Sequence, residues 1–168
     1  MQFNLLLKRT ETMELHGIAN GDRVVEIART WIGTKYHHQA HKKGVGCDCI
    51  GLIIGVWQEL FEGRVPKTFQ LPIYTPHWGD ETGEFNIMAE YSAQYLVPVQ
   101  DAVLQAQPGD VCLWRMYSRG PVKHAGIISH DGNMIHAYYG HDVMETAMIS
   151  NFGSKLTHLF RYPETWTE

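Results

Sequence analysis

The chain has 168 residues, 44% of them hydrophobic, enough for one well-packed core and against wholesale disorder. A formal charge of −4 gives no basis for binding nucleic acid, and no apolar run approaches membrane-spanning length, so no membrane insertion is expected. Three cysteines cannot all pair within one chain, and Cys47 and Cys49 are too close for an ordinary disulfide, which excludes a disulfide framework.

Residues 1–19 show no clear period and read as an N-terminal extension or a short added strand, with 20–168 as one domain. Leu5-Leu6-Leu7 precedes Lys8 and Arg9. A signal peptide places its charges before a longer apolar core, so synthesis in the cytoplasm without such a peptide is expected. Asn20 or Asp22 can cap a helix through Ile32, with Val24, Ile27, Ala28 and Trp31 on one face and Gly33 stopping it. Residues 34–47 read as a polar loop carrying His37, His38 and His41. A second helix opens at Cys49 behind the N-cap Asp48. Ile50, Ile53, Ile54, Trp57, Leu60 and Phe61 give it an apolar face, and it ends near Glu62-Gly63.

Pro66, Pro72 and Pro76 mark residues 64–84 as an ordered irregular loop, and a short helix is predicted near 85–96. Gln107-Pro108-Gly109-Asp110 is a turn. Short strands are predicted at 111–116, 124–129, 134–138, 143–148 and 156–162. Helices first and strands later predict an α+β fold, with N-terminal helices packed on an antiparallel sheet of five to six strands.

The chemistry concentrates on Cys49. In the first turn of a helix, amide dipoles favour the thiolate, which is how a cysteine is prepared to attack a carbonyl. Such a nucleophile needs a base, and His124 in HAGIISHDGNMIHA is the best placed. A two-residue Asp-Gly turn would put His124 and His136 on opposite faces of the hairpin. A three-residue loop with Gly132 left-handed pairs 129 with 133, sets His136 opposite Gly126, and brings both imidazoles to one face. His136 can then hold the His124 ring through its second nitrogen. Cys112, within an apolar strand, reads as a core residue. Cys47 fills space in the turn, or is a redox neighbour or metal ligand. Cys47 and Cys49 with His37, His38, His41 or His124 could bind zinc, but their spacing is unlike that of usual structural sites. His16, His77 and His158 carry no motif and read as surface or packing residues.

Four motifs stand in order: Asp48-Cys49-Ile50-Gly51-Leu52, Pro108-Gly109-Asp110, His124-Ala125-Gly126-Ile127 and His136-Ala137. In this the chain resembles the NlpC family of papain-like cell-wall endopeptidases over roughly residues 22–150. The Gly-Cys-Asp-Cys-x-Gly-Leu wording, followed by Gly-Val-Trp, looks most like the branch encoded with phage tails and gene transfer agents. The resemblance implies a papain-like catalytic domain with Cys49 as nucleophile, His124 as base and His136 as third polar residue. It also implies Tyr36 and Asp48 as supporting or substrate-binding groups. No metal or cofactor is implied. Where many family members continue after the tyrosine with Trp-Gly-Gly, this chain has His37-His38-Gln39.

The implied activity is cysteine-type hydrolysis of amide bonds in peptidoglycan stem peptides, after D-glutamate. Phage-like tail proteins would be its partners, and action in the periplasm would follow incorporation into a particle. The alternatives are a structural tail component without turnover, or an amidase or acyltransferase using the same Cys-His pair.

Overall fold

The computed structural model describes residues 13–71, 73–75, 86–100, 105–117, 119–148 and 155–167. The order is β1 (Glu14–His16), α1 (Gly21–Arg29), β2 (His41–Lys42), β3 (Gly46–Cys47), α2 (Cys49–Leu60) and α3 (Ile87–Ser92). There follow β4 (Val97–Val99), β5 (Val111–Arg115), β6 (Val122–Ile128), β7 (Asn133–His136), β8 (Met144–Ala147), β9 (Leu156–Arg161) and β10 (Thr165–Thr167). The expected α+β architecture is present. Six strands form one antiparallel sheet in the order β4-β9-β5-β6-β7-β8.

The central strands are buried on both faces, and their alternation feeds two clusters. Val111, Leu113, Ala125, Ile127 and Ile135 pack with Val24, Ala28, Leu52 and Val56 of the helices. The intervening residues Cys112, Trp114, Ile128 and Met134 pack with Leu159 on the other face. Cys112 is the core residue expected, wholly buried with its thiol donating to the Gly126 carbonyl at 3.3 Å.

Helix α1 starts where the sequence places it, with the Asn20 side chain accepting from the Arg23 amide. It ends earlier than predicted, at Arg29. Trp31 leaves the helix to lie against Gly55, where any side chain would collide with the indole, and donates to Glu59 at 2.7 Å. The loop predicted at 34–47 contains the two-residue ladder β2–β3. These pairs were invisible to periodicity because two residues carry no period. β1 adds a strand to β10, and Trp166 of β10 lies on Trp57 and Phe61, at centroid distances of 5.2 and 4.6 Å. Residues 76–85, His77 among them, lie outside the described residues. Among the described residues no helix is long and apolar enough to cross a membrane.

Candidate active site

Asp48 fixes the start of α2. Its Oδ1 accepts from the Gly51 amide at 2.8 Å, as an N-cap does. Its Oδ2 accepts from the Gln39 amide at 2.7 Å and from the Tyr74 hydroxyl at 2.6 Å. The 37–40 turn is thereby tied to the helix terminus, and the Asp48 amide returns a bond to the Ala40 carbonyl at 3.2 Å. Cys49 is left in the first turn, partly exposed on the wall of a cleft of about 210 Å³. Tyr36, Asp48, Tyr74, His124 and Tyr138 line the same cleft. An apolar cavity of about 210 Å³ lies alongside, between α2 and α3, and shares Ile50 and Tyr74 with it.

Register settles the histidine question. Ile127 pairs with Ile135 and Ile128 with Met134, and the Ser129 amide donates to the Asn133 carbonyl at 2.9 Å. The loop therefore has three residues, His130–Gly132, with Gly132 at φ 72°. Asp131 is also left-handed, at φ 58°, which the sequence reading did not foresee. His124 and His136 consequently share a face, and His124 Nε2 and His136 Nδ1 are joined by a hydrogen bond of 2.9 Å. Gly126 between them has no room for a side chain without crowding His136 Cβ at 3.1 Å and Trp114 at 3.3 Å.

Both imidazoles are nearly fully buried and neutral. Burial, and then the neighbouring His136, push His124 down to about 3, and burial, and then His141, push His136 down to about 4. The helix N-terminus favours the Cys49 thiolate as expected, but burial opposes it. Burial, and then the Asp48 charge, push the Cys49 thiol up to about 12, against the Ala125, Ile50 and Cys49 amides, which favour the anion. The dipole acts in the predicted direction but loses to desolvation. The resting pair is therefore thiol and imidazole, and charge separates only during attack.

These neutral histidines have a consequence for stability. An unfolded chain protonates them near pH 6.5, whereas the folded chain resists protonation until about pH 3 to 4. Between those values the unfolded state binds more protons, so stability is lost as pH falls below about 6.5. Buried His158 adds to the same trend. Urea midpoints measured between about pH 7 and pH 5 are expected to fall with acidification. A constant midpoint across that range would contradict the buried neutral pair.

Tyr36 sits beside Cys47 in an isolated bridge, its neighbours bonded to Cys47 through the Lys35 carbonyl and the His37 amide, each at 3.0 Å. Its ring meets Tyr139 edge-on at 5.7 Å. Burial, then Cys49, Asp48 and Tyr139, push its hydroxyl up to about 12. Cys47 is wholly buried and its thiol is pushed up to about 12 by burial and Asp48, which suits a space-filling role. Among the described residues no group of three His, Cys, Asp or Glu side chains stands close enough to hold a metal.

Tyr74 was not singled out by sequence, because a tyrosine in a proline-rich, aperiodic stretch carries no signal. Its hydroxyl holds Asp48, while its carbonyl accepts from His38 Nε2 at 3.0 Å and Gln39 Nε2 at 2.6 Å. The residues that replace Trp-Gly-Gly thus bind a strap across one end of the cleft. Tyr74→Phe removes one bond to a buried carboxylate and is expected to destabilise by about 1.5–3 kcal/mol. Thermal denaturation checks this, and an unchanged midpoint would show that the bond carries no weight.

The NlpC/P60 family model matches residues 33–161. The chain belongs to the NlpC/P60 family. The structure of NlpC2 from Trichomonas vaginalis shares the fold with a TM-score of 0.60 at 21% identity, over 92% of this chain and 49% of that one. The NlpC/p60 domain of the peptidoglycan hydrolase SagA matches with a TM-score of 0.52 at 21% identity, over 84% and 98% of the two chains. RipD from Mycobacterium tuberculosis, described as a non-catalytic NlpC/p60 domain protein adapted to peptidoglycan binding, matches with a TM-score of 0.52 at 17% identity, over 84% and 95%. This chain spans about half the length of the Trichomonas protein, 49%. No curated protein matches it. NlpC/P60 domains thus occur both in a peptidoglycan hydrolase and in a non-catalytic binder, and the residues in the cleft have to argue which this one is.

Proposed function

We propose that this NlpC/P60 protein is a cysteine peptidase that hydrolyses amide bonds in peptidoglycan stem peptides. The observation that carries the reading is the 2.9 Å bond between His136 and His124, the imidazole that lines one cleft with Cys49.

The chemistry follows from the bonding. His136 is bonded to His124 Nε2, and on this reading Nδ1 takes the Cys49 proton. The sulfur attacks the amide carbon as that proton leaves, and the resulting oxyanion lies near backbone amides at the start of α2. His124 then returns the proton to the departing amine, leaving a thioester. Water, deprotonated by His124, adds to the thioester and releases the acid and the free thiol. No step calls for a cofactor.

Two finer readings belong to the same proposal. Cleavage after D-glutamate rests on the family resemblance, and delivery by a phage-like tail on the motif wording around Cys49. A zymogram on purified cell wall tests turnover: a cleared band supports a peptidase, and no clearing by folded protein favours a binding or structural tail component. Purified particles can be probed for the chain. Its absence from them, with free enzyme in the medium, would contradict tail delivery.

A further inference from the structure

The hydrogen-bonded line from His124 does not end at His136. His136 Nε2 lies 3.0 Å from Thr146 Oγ1. Thr146 is on the edge strand β8, where His136 pairs with Met144 and Met134 with Thr146, so the hydroxyl is a diagonal neighbour of the imidazole on one face. We propose that Thr146 is a positioning residue whose hydroxyl accepts the His136 Nε2 proton and thereby fixes the tautomers of both histidines in the base-competent form. The proposal rests on the reading of Cys49 and His124 as a nucleophile and its base.

A neutral imidazole carries one N–H and one lone pair. For His124 Nδ1 to accept a proton from the thiol, its N–H must be at Nε2, donating to His136 Nδ1. His136 must then carry its own proton at Nε2, pointing at Thr146. The opposite arrangement reverses every bond: Thr146 donates to His136 Nε2, His136 Nδ1–H donates to His124 Nε2, and His124 carries its proton at Nδ1. On the Cys49–His124 reading that proton occupies the nitrogen assigned to take the thiol proton, and the base is blocked. The two arrangements contain the same number of protons and differ only in placement.

A hydroxyl could donate or accept here; in the proposed acceptor role it favours the productive arrangement. Replace it by a methyl, and the productive arrangement leaves a buried His136 N–H without this acceptor. The blocked arrangement deprives His136 Nε2 of the Thr146 donor alone, and an N–H that loses its acceptor costs more than a lone pair that loses its donor. Thr146→Val should therefore drive both histidines to the blocked tautomer. Tyr138 packs edge-on to His124 at 5.5 Å and tilted to His136 at 6.2 Å, Trp114 lies over His124 at 5.7 Å, and His141 acts on His136 through charge. These ring contacts restrain the imidazole planes, while the Thr146 hydroxyl meets one nitrogen directly.

The test uses the full chain and two readouts. Imidazole nitrogen chemical shifts near neutral pH are expected to show Nε2 protonated in both His124 and His136 of the unmodified protein. In Thr146→Val both protons should move to Nδ1, with kcat on a defined stem peptide falling on the order of 10- to 100-fold and KM little changed. Thr146→Ser should keep wild-type tautomers and rate. Wild-type histidines protonated at Nδ1 would overturn the proposal with no variant needed. So would a Thr146→Val protein with wild-type tautomers, or a Thr146→Ser protein as slow as Thr146→Val. If the unmodified protein hydrolyses nothing, the peptidase reading falls, and the nitrogen spectra still decide the role of Thr146.

Discussion

Cys49→Ala is expected to abolish hydrolysis of stem peptides, by a factor on the order of 10⁴ or more, because members of a catalytic pair act as a unit. The loss should be chemical rather than structural. Cys49 is partly exposed on the cleft wall, and the helix start is held by Asp48 through the Gly51, Gln39 and Tyr74 bonds rather than by the thiol. Far-ultraviolet circular dichroism and the urea midpoint should therefore stay close to those of the unmodified protein. The thiol of the intact protein should also alkylate slowly at neutral pH, since burial pushes it up to about 12. A Cys49→Ala protein that keeps most of its activity would remove the nucleophile from the mechanism.

Gly51→Ala is expected to damage both fold and activity. A Cβ at Gly51 would collide with the Ala40 carbonyl oxygen and come within 2.9 Å of its carbon and 3.2 Å of Asp48 Oδ1. In an open helix the change would gain up to about 1 kcal/mol of propensity. Here the obstacle is backbone that itself accepts the Asp48 amide, so it cannot step aside without breaking that bond. Overpacking of this kind costs about 3 kcal/mol, which outweighs the propensity gain. The net loss of about 2 kcal/mol is expected to lower the thermal midpoint by roughly 4–8 °C. Activity should fall further than stability, because Cys49 shares the turn that must move and a shift near 1 Å costs on the order of 10²-fold. Calorimetry and a rate measurement on the soluble variant check both halves; an unchanged midpoint would show that the turn and helix do not meet so closely.

This glycine also explains why the site was legible. Asp-Cys-x-Gly-Leu reads as a motif because each position has a mechanical reason. Asp48 caps, Cys49 faces the cleft, Gly51 admits the 37–40 turn and Leu52 is fully buried. Pro108-Gly109-Asp110 is similar: a side chain at Gly109 would approach Gly21 Cα at 2.5 Å, and Asp110 accepts from the Gln107 amide and from Arg161. The histidine register was legible because hairpin parity leaves two outcomes and only one pairs the rings.

What sequence could not carry was contact between segments far apart in the chain. Tyr74 reaches Asp48 across 26 residues from a stretch without period, and Thr146 looks like any β-branched strand residue until β8 is laid beside β7. The balance at Cys49 was out of reach for a related reason. The helix dipole is visible in sequence, but the burial that outweighs it belongs to the folded cleft.

The central claim is that Cys49 and His124 together hydrolyse a stem-peptide amide. Mass spectrometry of a defined muropeptide incubated in ¹⁸O-labelled water, with unmodified protein and with Cys49→Ala in parallel, tests it most directly. The account predicts two fragments from one amide, a single ¹⁸O in the new carboxyl group, and no fragments from Cys49→Ala. Intact muropeptide recovered from folded, unmodified protein, or equal cleavage by both proteins, would contradict it.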